Sequence, residues 1–171
     1  MARLSYCYGR LLEALLLVAC LLLLIMTFLI GADVVLRNVG LGGIAPSNEI
    51  SEDIIYLVTL LAAPGLLRQG QHIRVDILLR VLPAKVGWLL EWLGDILGLI
   101  CCLYFVWYGV RVAAASFASG ALSIKTLVMP EWWLLAPMPL AFVLLSVEFV
   151  FRMNRLAMAE RRPRDDAVSA S

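Results

Sequence analysis

Six carboxylates in the body of this chain, Glu49, Glu52, Asp53, Glu91, Asp95 and Glu131, have no basic residue at helical spacing. Four others do. Glu13 follows Arg10, Asp33 precedes Arg37, Asp76 precedes Arg80 and Glu148 precedes Arg152, each by three or four positions. Local pairs of that kind need no further role and are each worth roughly 0.2–0.5 kcal/mol when exposed. Unmatched acids in an apolar chain are different. They can hold a cation, relay a proton or dock on a cationic surface of another subunit. Glu49, Glu52, Asp53 and Tyr56 share one helical face, where the plain reading is a solvated helix start whose dipole favours anions. The sharper reading is docking to a cationic partner. Glu91 and Asp95 sit in a periodic set of small residues, Ala84, Gly87, Gly94, Gly98 and Cys102, spaced by threes and fours. Small residues let helix backbones approach closely in lipid, so this face reads as a protein contact.

Other chemistries find little support. His72 is the only histidine, which excludes a bis-histidine haem or a histidine-bearing zinc cluster within the chain. The four cysteines, Cys7, Cys20, Cys101 and Cys102, form no CxxC pair and are read as small apolar residues. Neither Lys85 nor Lys125 follows a phosphate-binding glycine pattern. No cofactor, metal site or catalytic set is expected, and the basic residues form no face suited to nucleic acid.

The elements that must position these residues are set by hydrophobicity. The chain is 63% hydrophobic, against about 45–50% in soluble domains. Its uncharged runs, Ala14 to Ala32, Ile54 to Leu67, Ile96 to Val110 and Trp132 to Val147, imply four membrane spans, about 11–35, 49–68, 88–112 and 131–151. The first run of 19 residues exceeds the ~7–15 of a signal-peptide core and reads as an uncleaved anchor. Charge then sets orientation. Eleven cations fall in the first, third and fifth exposed segments, and only Arg37, Arg111 and Lys125 fall in the other two. Both termini are therefore expected in the cytoplasm. The fold class expected is an all-α integral membrane protein with four transmembrane helices, over residues 1–155, and a disordered tail, 156–171.

Between the second and third spans, Ile73, Val75, Ile77, Leu78 and Leu79 alternate with Arg74, Asp76 and Arg80. An interfacial helix on the cytoplasmic leaflet suits that pattern. Gly40, Gly42, Gly43 and Pro46 mark a turn before the second span, which Ser47 or Asn48 is expected to cap. Pro64-Gly65 should weaken that span's end, and Pro137 and Pro139 should kink the fourth.

These residues resemble the small membrane subunit of TRAP (tripartite ATP-independent periplasmic, DctQ-like) transporters. The resemblance covers most of residues 10–152. It rests on Gly31, Asp33 and Arg37, on Asn48-Glu49-Ile50-Ser51-Glu52, on Arg68, Gly70 and His72-Ile73-Arg74-Val75-Asp76 with Leu82-Pro83, and on Ser123, Leu127, Pro130, Trp132 and Pro137 to Leu140. It implies a sodium-coupled uptake system for a carboxylate or related organic solute in the bacterial inner membrane. A large membrane subunit would carry the solute and a periplasmic binding protein would deliver it. This chain would be a non-catalytic scaffold, with Glu49, Glu52, Asp53, Tyr56, His72, Arg74, Asp76, Gly87, Glu91, Gly94, Asp95 and Gly98 as candidate interface residues. The competing readings are a four-span thiol or quinone oxidoreductase and a small homo-oligomeric carrier. The first lacks cysteine pairs in its outer loops, and the second would need a self-made path.

Overall fold

A computed structural model describes residues 2–69, 84–124 and 128–158. The expected interfacial helix, with His72, Arg74, Asp76 and the Asp76–Arg80 pair, lies outside the described residues, as does most of the tail. The described chain runs α1 (Ala2–Asn38), α2 (Ser47–Arg68), α3 (Ala84–Ser119), β1 (Leu122–Ile124), β2 (Val128–Pro130), α4 (Glu131–Leu135) and α5 (Pro137–Met158). Four helical stretches among the described residues are long and apolar enough to cross a membrane, as the hydrophobic runs required.

The order of the helices in space is not their order in the chain. α1 packs on α2, α2 on α5 and α5 on α3. The central pair is thus α2 and α5, with α1 and α3 as flanks. Their apolar side chains, from Leu17, Leu24 and Phe28 to Leu97, Ile100 and Leu103, stay exposed. A helix apolar on all sides belongs in hydrocarbon or against another protein. At 37 and 36 residues, α1 and α3 are each about 55 Å long, well beyond the ~30 Å of hydrocarbon they would cross.

Helix ends follow residue chemistry. α1 closes where Gly40 takes φ 79°, with Leu41 N–H donating to the Leu36 carbonyl at 3.1 Å and Gly40 N–H to that of Arg37 at 3.2 Å. α3 closes identically at Gly120, φ 62°, through Ala121 to Ser116 and Gly120 to Phe117. Both are glycine-terminated Schellman motifs that satisfy orphan carbonyls. The α2 cap differs from expectation. Pro46 occupies the cap position without a side-chain bond, and Ser47 is the first helical residue. Pro64-Gly65, expected to weaken the end of this span, lies inside α2. Both residues are buried and the helix continues to Arg68; a Cβ added at Gly65 would lie in ordinary contact, 3.7 Å, with the Leu12 carbonyl oxygen of α1. Prolines 137 and 139 bring a break rather than a mid-helix kink. α4 ends before Ala136 and α5 begins at Pro137, where a missing N–H costs nothing. Between α3 and α4 lies an antiparallel hairpin pairing Leu122 with Pro130 and Ile124 with Val128.

Candidate functional site

Two polar centres occupy opposite ends of the bundle. At the end where α1 and α3 start and α2 and α5 finish, Glu148 is fully buried. Its Oε1 accepts from Arg155 Nη2 at 2.5 Å, and its Oε2 lies 3.8 Å from Arg68 Nη1. Arg152 turns the other way. Its Nη2 sits 3.2 Å from Asp95 on α3, its Nη1 donates to the Leu67 carbonyl at 3.5 Å, and its guanidinium lies over the Phe149 ring. Arg68 lies over the Tyr8 ring, and Tyr8 donates to the Leu144 carbonyl at 2.7 Å. Trp88 donates to the Leu156 carbonyl near the end of α5 at 3.4 Å, where helices leave such groups unsatisfied. Side chains from all four spans therefore meet here.

The expected Glu148–Arg152 pair is corrected by this geometry. The two residues share a helix, but Glu148 pairs one turn further on with Arg155 and across to Arg68, while Arg152 serves Asp95. Asp95, unmatched along its own helix, has its cation on another. Buried carboxylates demand partners, and two neighbouring spans supply them.

The small-residue face of α3 is likewise occupied from within the chain. A side chain at Gly98 would collide with the Phe149 ring, and Cys102 packs in a core with Leu67 and Leu145. Gly87 is buried, but Gly94 is exposed with open space beside it. Glu91 is half-buried at the edge of this face.

At the opposite end Asp33 is buried at 6% exposure. It holds Arg37 Nε at 3.0 Å and accepts from the Ile44 N–H at 2.5 Å, so the loop after α1 is tied back onto it. Gly43 permits this, since a Cβ there would collide with Asp33 and Arg37. Glu131, another acid unmatched in sequence, accepts from Ser116 Oγ at 2.9 Å and joins α4 to α3. On the first turns of α2, Glu52 is exposed while Glu49, Asp53 and Tyr56 are half-buried. The expected Arg10–Glu13 pair is present at 3.6 Å and exposed.

Reasoning along single helices could not find Arg68 as a partner of Glu148 or Arg152 as the partner of Asp95, since each pair joins two spans. One signal was available. In a four-span topology Arg68, Asp95, Glu148, Arg152 and Arg155 all fall at the same membrane face.

These features define a class, a multi-pass helical membrane protein whose buried charges are matched among its own helices. Comparison narrows it. Residues 26–158 match the DctQ component of the tripartite ATP-independent periplasmic transporters, and the chain belongs to that family. It is the small subunit of a TRAP transporter, a transport component and not an enzyme, which removes the oxidoreductase reading. It is 25% identical over 120 residues to the sialic acid TRAP transporter permease protein SiaT of Haemophilus influenzae strain 86-028NP, covering 70% of this chain and 19% of that one. It is 29% identical over 100 residues to a protein of H. influenzae strain KW20 described as a TRAP transporter small permease, covering 57% of this chain and 62% of that one. In both cases the match spans less than two thirds of the relative.

Proposed function

We propose that this chain is the non-catalytic scaffold of a sodium-coupled uptake system for a carboxylate or related organic solute. It pairs with a large membrane subunit that carries the solute, and a periplasmic binding protein delivers that solute. It lies in the inner membrane with both termini cytoplasmic. The observation carrying this reading is the proportion of the SiaT match. Most of this chain corresponds to 19% of a permease, and residues 26–158 match the DctQ component, which supports the role of a smaller membrane component beside a larger solute-carrying one. The polar centres agree. Asp95 pairs with Arg152 and Glu148 with Arg68 across helices, and Glu148 with Arg155 within one, so these charges are engaged in holding the bundle together. The cations concentrated in the first, third and fifth exposed segments support the orientation.

Solute uptake into proteoliposomes tests the reading. Uptake should require this chain together with a copurifying larger membrane protein and a binding protein. Uptake by this chain alone would overturn the scaffold role.

A further inference from the structure

Between α1, α2 and α5, at the end carrying the ion network, lies a cavity of about 250 Å³ lined by Gly9, Leu12, Glu13, Leu16, Gly65, Arg68, Gln69 and Arg155. Its chemistry changes with depth. Leu12 and Leu16 face it from the apolar part of α1, while Arg68, Gln69 and Arg155 sit where α2 and α5 end. Two glycines open it. A Cβ at Gly9 would lie 3.0 Å from Arg68 Nη2, so the bare backbone lets the guanidinium lie flat on α1. Tyr8 holds that guanidinium from one side and Glu148 from another, and Glu148 also fixes Arg155. The two cations are thus oriented beforehand. They share the Glu148 carboxylate, and both guanidinium-bearing side chains also line the cavity.

We infer that this cavity binds the phosphodiester of a membrane glycerophospholipid, held by Arg68 and Arg155, with an acyl chain passing along Leu12 and Leu16. Guanidinium groups suit phosphate because their fork donates two parallel hydrogen bonds. Basic pockets between spans at a membrane face are where lipid head groups bind. The site needs only this chain's residues and stands whether or not the proposed partners are right.

Native mass spectrometry of the full chain, purified in mild detergent with whatever subunits copurify, tests this. The probes are dioleoylphosphatidylglycerol, dioleoylphosphatidylethanolamine, dioleoylglycerol lacking phosphate, and inorganic phosphate. Both phospholipids should give a retained one-lipid adduct, and dioleoylglycerol should not. Arg155→Gln should weaken retention about tenfold, the loss of one charge-assisted hydrogen bond. Gln69→Trp, which fills the mouth and leaves every ion pair intact, should do the same and decides the matter if Arg155→Gln loses helicity. Arg111→Gln, at the other end of α3, should bind as wild type. Equal retention of dioleoylglycerol, binding of inorganic phosphate without lipid, wild-type retention by Gln69→Trp, or equal loss in Arg111→Gln would each overturn the assignment.

Discussion

At the residue scale, the division between exposed and buried ion pairs decides what each is worth. Arg10 and Glu13 are mostly exposed, so Arg10→Ala should change stability by less than about 1 kcal/mol. Asp95 and Arg152 have side chains only 4% and 10% exposed. Removing one leaves the other's charge buried, which costs about 3–5 kcal/mol in comparable pairs. Arg152→Ala should therefore lower the thermal midpoint in detergent sharply, and Asp95→Asn/Arg152→Gln together should restore much of it. A double variant as unstable as Arg152→Ala alone would show that Arg152 acts through its Leu67 and Phe149 contacts instead. The same division explains what the sequence revealed. Arg10–Glu13 and Asp33–Arg37 were legible because both partners lie on one helix within a turn. Glu148 misled because Arg152 stood at the right spacing, and spacing says nothing about which cation a neighbouring helix offers. Two buried carboxylates share three arginines, and the packing of the helices rather than spacing along one of them settles the pairing.

At the scale of elements, the hydrophobic runs and glycines carried most of the fold. Long apolar stretches admit few alternatives to helix in a bilayer, and Gly40 stops α1 because it alone tolerates the left-handed turn there. The hairpin was not legible, since strands of three residues are too short to show a period. The α3–α5 contact was half legible. The spacing of Gly87, Gly94 and Gly98 marked a packing face but not its occupant. α5 covers Gly98 with Phe149, while Gly94 faces outward. The two positions should therefore part company on substitution. Gly98→Leu should cost about 1–3 kcal/mol by overpacking, read as a lowered thermal midpoint of the isolated chain. Gly94→Ala should leave that midpoint unchanged or raise it slightly, through the better helix propensity of alanine. Equal losses at both positions would mean that α5 covers more of α3 than Phe149 alone implies.

At the scale of the whole molecule, the arrangement leaves two flanks to be covered. Arg68 of α2 and Glu148 and Arg152 of α5 are engaged with each other's helices and with the ends of α1 and α3. The outward faces of α1 and α3 remain apolar, and lipid can satisfy them as readily as protein. A partner surface should then be sought where lipid cannot substitute, and the acidic first turns of α2 are the best such place. Glu52 is exposed there beside half-buried Glu49 and Asp53, at the end of the bundle where the charge pattern is poorest in cations. A cationic surface on another subunit would be complementary in charge, and complementarity of this kind governs encounter and register more than intrinsic stability. Charge reversal at all three positions, Glu49→Lys/Glu52→Lys/Asp53→Lys, should therefore leave expression and helicity of this chain near normal. It should reduce copurification of the large membrane subunit, or the stimulation of uptake by the binding protein, at least tenfold. The loss should be greatest at low ionic strength, where repulsion between like charges is least screened. Full uptake by the triple variant at normal expression would remove these acids from the docking surface. The apolar flanks and the open Gly94 face would then be where α3 meets its partner.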